Sequence, residues 1–121
     1  MFRFEKLDVW QKSISFSKAI YQITAKFPSD ERFGLTSQLR RASVSISSNI
    51  AEGSGRKSDT EFIRFLDIAY GSVLEVVSQL HLSQSLDFLS EAVFQSTYAL
   101  AEELTRMLSG LRSSLEPGRR G

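Results

Sequence analysis

Residues 35–53 read LTSQLRRASVSISSNIAEG. Leu35, Leu39, Ala42, Ile46 and Ile50 recur there at intervals of three and four, which places them in one stripe along an α-helix. The period-two alternation of a half-buried strand is not sustained. The helix expected over about 32–53 stops at Gly53-Ser54-Gly55, read as a glycine C-cap and a short loop. Upstream, Phe27-Pro28-Ser29-Asp30 closes an earlier helix, because Pro28 cannot continue it and moves Phe27 out of the α region. That first helix spans about 7–27, with Leu7, Trp10, Ile14 and Tyr21 as its expected core side.

Downstream, Ser58-Asp59-Thr60-Glu61 is a capping box that opens a third helix over about 58–85. Its stripe is Phe62, Phe65, Ala69, Val73, Val76 and Leu80. A weaker break near Ser85-Leu86-Asp87, with neither glycine nor proline, precedes a fourth helix over about 88–115. Val93, Thr97, Leu100, Leu104, Leu108, Leu111 and Leu115 supply its apolar side. The expected fold is all-α, an up-down-up-down antiparallel four-helix bundle. Residues 1–116 form a single domain and 117–121 a flexible tail.

Composition excludes much else. The chain has 121 residues, one domain's worth, and its 41% apolar content separates it from disordered chains. Two prolines and seven glycines are too few for the turns of a strand-rich fold. The absence of cysteine excludes disulfides, thiolate metal sites and cysteine nucleophiles. His81, the sole histidine, excludes multi-histidine metal sites, so no metal and no cofactor is expected. No apolar run is long enough for a membrane span, and the N-terminus lacks the apolar stretch of a signal peptide, which points to the cytoplasm.

Two features bear on function. Helix 1 carries another stripe, Val9, Phe16, Ile20, Ile23 and Phe27, and helix 3 carries Ile63, Leu66, Tyr70, Leu74 and Val77. Either these residues widen the core or they form an apolar surface larger than monomers normally expose. The second reading makes the protein an oligomer, with Val9, Phe16, Ile20, Ile23, Phe27, Ile63, Tyr70 and Leu74 as its interface. Charge is also uneven. Residues 1–60 hold ten Lys/Arg against six Asp/Glu, whereas residues 61–121 hold five against eight.

The opening Phe4-Glu5-Lys6-Leu7-Asp8-Val9-Trp10-Gln11-Lys12 resembles the start of the four-helix-bundle proteins encoded in intervening sequences of bacterial 23S rRNA genes. Glu31-Arg32-Phe33-Gly34-Leu35, Gln38-Leu39-Arg40-Arg41-Ala42, Asn49-Ile50-Ala51-Glu52-Gly53 and Ile68-Ala69-Tyr70-Gly71-Ser72 follow in that family's order and spacing. The resemblance covers roughly residues 2–112. It implies a left-handed bundle, assembled as a ring-like homopentamer, with no enzymatic activity. It also implies kinship with accessory proteins of diversity-generating retroelements, which bind nucleic acid and a reverse transcriptase.

Catalytic patterns are weak throughout. The residue three before His81 is Ser78, so the Glu-x-x-His of di-iron bundles is missing. Two Ser-x-x-Lys matches, at Ser15 and Ser54, are near chance in a chain this rich in serine. The candidate phosphate contacts for RNA or DNA are Lys6, Lys12, Arg40, Arg56 and Lys57, supplemented by Arg119 and Arg120 of the tail. The pair Arg56-Lys57 lies beside the start of helix 3, where anions are favoured unless the helix's own caps occupy that end. Gln38, Arg41, Ser45, Asn49 and Glu52 form a polar seam, with Arg41 expected to pair with Glu52 or Glu75. Arg40 is expected to be solvated. Gly71, inside a helix, suggests that another backbone passes close by. A protein-protein adaptor with a merely solvated basic face is the competing function.

Overall fold

The first helix ends at Thr24, three residues short of the expected Phe27, and the next begins only at Leu35. The computed structural model describes residues 1–118, so Arg119, Arg120 and the last residue of the expected tail lie outside the described residues. Helix α1 spans Asp8–Thr24, α2 Leu35–Ser54, α3 Asp59–Ser85 and α4 Glu91–Leu115, with short 3-10 turns at Arg3–Lys6 and Ser29–Glu31. No strand occurs among the described residues. Gly34 has no side chain to cap α2, and Glu31 substitutes by accepting the Leu35 N–H at 3.1 Å.

The later boundaries have equally local causes. Ser58 caps α3 by accepting the Glu61 N–H at 3.2 Å. The weak break after Ser85 is a Schellman turn: Phe88 N–H donates to the Ser83 carbonyl at 2.9 Å and Asp87 N–H to that of Gln84 at 2.9 Å. Asp87 sits at φ 63°, the left-handed position usually taken by glycine. Ser90 then caps α4 by accepting from the Val93 N–H.

The four helices form an all-α bundle in which each packs against its sequence neighbours and α1 closes on α4. Cross-helix contacts run in opposite directions along each pair. Ser17 meets Ser43 where Thr24 meets Arg40, and Ser72 meets Ser45 where Gln79 meets Gln38. Neighbouring helices are therefore antiparallel. Contact is most extensive between α2 and α3. At the N-terminus, Phe4 lies edge-on to Trp10 with ring centres 4.9 Å apart.

The stripes expected for α2 and α3 are buried as expected. Helix 1 requires a correction. Val9, Phe16, Ile20 and Phe27 are buried in the core of the single chain and Ile23 packs against it, so this stripe is not a free interface. Ile14 and Tyr21, expected inside, are each 44% exposed. The reason is that Ser13 and Thr24 complete the second stripe. Their hydroxyls donate to their own helix, to the Trp10 carbonyl at 2.6 Å and the Ile20 carbonyl at 2.7 Å, which makes burial cheap. In α3, Ile63 is likewise half-buried against the core and Leu66 fully buried, which leaves Tyr70 and Leu74 exposed. In α4 the buried residues include Phe94 and Ala101, and Val93 faces out.

Two glycines exchange roles. Gly53 belongs to α2 and is no C-cap; a Cβ there would lie 2.7 Å from the Phe65 Cβ and 2.8 Å from the Phe62 ring. Gly71 has nothing within 4 Å of its would-be Cβ, so no backbone of another element passes it among the described residues. Gly53→Ala is therefore expected to destabilise by about 1–3 kcal/mol through overpacking. Gly71→Ala should stabilise by up to about 1 kcal/mol through helix propensity. Denaturant unfolding of the two variants checks this, and equal effects would contradict the packing.

Candidate nucleic-acid interface

The short link between α2 and α3 brings Arg56 and Lys57 to one end of the bundle, where the N-terminal 3-10 turn also lies. Arg56 stacks over Phe65 with its guanidinium carbon 4.7 Å from the ring centre, and Arg64 lies 5.5 Å from the same ring. Arg3 lies 5.2 Å from the Phe62 ring and reaches the Ser54 carbonyl at 3.5 Å. Aromatic faces hold cations in place without neutralising them. Sequence spacing alone does not single out Arg3 or Arg64. The signal for Arg64 is the Phe62-Ile63-Arg64-Phe65 run, in which aromatics repeat beside a cation; Arg3 has a similar setting between Phe2 and Phe4.

The other candidates are dispersed. Lys6 is exposed on the N-terminal 3-10 turn. Lys12 pairs with Glu103 of α4 at 3.2 Å and is thus partly neutralised. Arg40, expected to be solvated, is half-buried: it lies 4.5 Å from the Tyr21 ring centre, and its Nε donates to Thr24 Oγ1 at 2.9 Å. Arg119 and Arg120 lie outside the described residues.

The polar seam is real over part of its length. Gln79 Nε2 donates to Gln38 Oε1 at 3.2 Å, Ser72 Oγ to Ser45 Oγ at 3.0 Å, and Asn49 Nδ2 to the Ser45 carbonyl at 2.8 Å. Arg41 and Glu52 fall outside it. Arg41 is exposed, reaches only Ser37 Oγ at 3.5 Å, and makes no ion pair with Glu52 or Glu75 among the described residues. It lies on the outer side of α2, at the rim of grooves that open toward both α1 and α3.

Electrostatically the two halves of the chain differ. Of the ten Lys/Arg in residues 1–60, only Lys12 forms an ion pair among the described residues. In the C-terminal half, Arg112 is held by Asp67 at 2.7 Å and by Glu116 at 2.6 Å. The Asp67 hydrogen bond and charge raise its pKa above the ordinary arginine value, with Glu116 adding to the effect. His81 packs edge-on against Phe94 and Tyr98. A groove of about 840 Å³ between α1 and α4 is mainly apolar, and Lys26 is the one ionisable residue lining it. Among the described residues no three His, Cys, Asp or Glu groups cluster to hold a metal, and no helix is long and apolar enough to cross a membrane.

An antiparallel helical bundle with a partly hydrogen-bonded α2–α3 seam and a basic half in which only Lys12 is ion-paired among the described residues defines the class. Within it, the chain belongs to the family of 23S rRNA-intervening sequence proteins, whose model matches residues 5–110. Its fold is similar to that of a crystallised protein of unknown function from the S23 ribosomal protein family of Bacteroides thetaiotaomicron. The TM-score is 0.77 at 24% identity, over 86% of this chain and 97% of that one. Among curated proteins, none matches the chain.

Arg40 adds a side-chain hydrogen bond to its ring contact, whereas Arg56 has the ring contact alone. Arg40→Ala should lower stability by about 1 kcal/mol through removal of its ring packing and hydrogen bond. The double change Arg56→Ala, Lys57→Ala should cost less, since it removes only an exposed ring contact. Thermal unfolding by circular dichroism compares the two directly.

Proposed function

We propose that this protein is a non-enzymatic, self-associating helical bundle whose basic surface binds the phosphates of RNA or DNA. The observation that carries this reading is the set of unpaired cations at the α2–α3 end, Arg3, Arg56, Lys57 and Arg64, of which the three arginines rest on aromatic rings. Acids are near in sequence at Glu52, Asp59 and Glu61, but none of these four cations forms an ion pair among the described residues, whereas Arg112 pairs with Asp67 and Glu116. The cap formed by Ser58 already serves the start of α3, so phosphate binding rests on side chains rather than on that helix end. Self-association places several such ends on one particle and multiplies a charge that is small on one chain.

Exposed apolar side chains favour self-association and also keep the protein-adaptor reading in view. Tyr70 and Leu74 lie on one side of α3, and Leu74 is 53% exposed. Assembly as a homopentamer gives a mass near five times 13.6 kDa by light scattering. Leu74→Glu should lower that mass, and a monomer at micromolar concentration would remove the self-association.

Binding is tested with structured RNA and duplex DNA titrated at two salt concentrations. Wild type should bind both and weaken steeply as salt rises. Arg56→Ala with Lys57→Ala should reduce the salt slope by about one unit for each phosphate no longer held, similarly for unrelated sequences. Absence of binding at low salt would leave the adaptor, with a protein such as a reverse transcriptase as its partner; affinity untouched by this variant would remove the Arg56 end as the contact.

A further inference from the structure

Away from the Arg56 end, α1 and the first turns of α2 enclose a groove of about 500 Å³ lined by Tyr21, Arg32, Phe33, Thr36, Arg40 and Arg41. Three guanidiniums border it, and none forms an ion pair among the described residues. Arg40 is fixed by Tyr21 and Thr24. Arg41 also borders a smaller groove with Glu75, one of its expected acids, without pairing with it.

Thr36 supplies an independent observation. It is 8% exposed, yet its Oγ1 has no hydrogen-bond partner. Buried threonine hydroxyls usually donate to a carbonyl one turn earlier, as Thr24 does to Ile20 and Thr97 to Val93. Thr36 is the second residue of α2, so the carbonyl one turn earlier lies outside the helix. Glu31 takes the Leu35 N–H, and the N–H groups of Thr36 and Ser37 have no acceptor among the described residues. The Glu31 carboxylate serves one donor of this helix end, and the remaining free N–H groups with the three arginines favour a further anion. Beside them Phe33 is 87% exposed, with the Arg32 guanidinium 5.3 Å from its ring centre.

We propose that this groove binds a nucleoside phosphate. The phosphate lies between Arg40, Arg41 and the first turn of α2, where rotation about the Thr36 Cα–Cβ bond turns its hydroxyl toward it. The base lies against Phe33 and Arg32. A free nucleotide and one unit of a single strand present the same chemistry. The site is separate from the Arg56 end and does not rest on it.

The test titrates the full chain with adenosine 5′-monophosphate, adenosine and inorganic phosphate, followed by calorimetry. The monophosphate should bind about tenfold more tightly than either fragment. Arg32→Ala with Arg41→Ala should weaken it by about tenfold or more. Thr36→Val should also weaken it while keeping or raising the melting temperature, since it removes an unmet buried hydroxyl. This second variant separates ligand loss from unfolding. No saturation at millimolar monophosphate, equal binding of adenosine, or binding intact in the double variant would overturn the site. A single-stranded oligouridylate assigns the source. Weakening by the Arg32/Arg41 variant means that the strand uses the groove. Loss of monophosphate binding with strand binding unchanged means that it takes the free nucleotide; both uphold the site. Failure of the Arg56/Lys57 variant to alter nucleic-acid binding bears on the proposed function alone.

Discussion

The close approach of α2 and α3 at Gly53 sets the rest of the bundle. Only four residues separate the two helices, so their axes must lie side by side from the first turn. Phe62 and Phe65 occupy the space that a side chain at residue 53 would need. Once that approach is made, the register of the whole pair follows, with Ser45 facing Ser72 and Gln38 facing Gln79 farther along. The remaining two helices close around this pair, and the same link carries Arg56 to the surface beside Phe65.

How far the fold is legible depends on which side chains are allowed into a core. In α2 and α3 the apolar residues alone trace the buried side, and reading them is enough. In α1 the buried side runs through Ser13 and Thr24, and a purely apolar stripe gives more weight to Ile14 and Tyr21. The helix hides such hydroxyls by accepting them at its own carbonyls, a device invisible to hydrophobic periodicity. Asp87 shows the same limit at a turn: its left-handed backbone does a glycine's work without a glycine's signature.

The candidate site is less legible than the fold. Loop position is enough to find Arg56 and Lys57, and the second turn of α3 carries Arg64 beside them, but Arg3 comes to the same end only through tertiary packing. Arg40 and Arg41 are adjacent in sequence, and their environments are the reverse of those their neighbours suggest. A 100° step on α2 places Arg40 over Tyr21 and leaves Arg41 exposed. Pairing depends on where acids of other helices fall, which spacing along one helix does not reveal.

The N-terminal turn has a practical consequence. Trp10 is the sole tryptophan, half-buried, with Phe4 against its ring. Its indole is therefore a single-site fluorophore, placed where the first turn lies on the bundle. Emission from this chain reports the docking of that turn, separately from the global loss of helix. A red shift that precedes the loss of helical signal would mark fraying of the N-terminus as a distinct event.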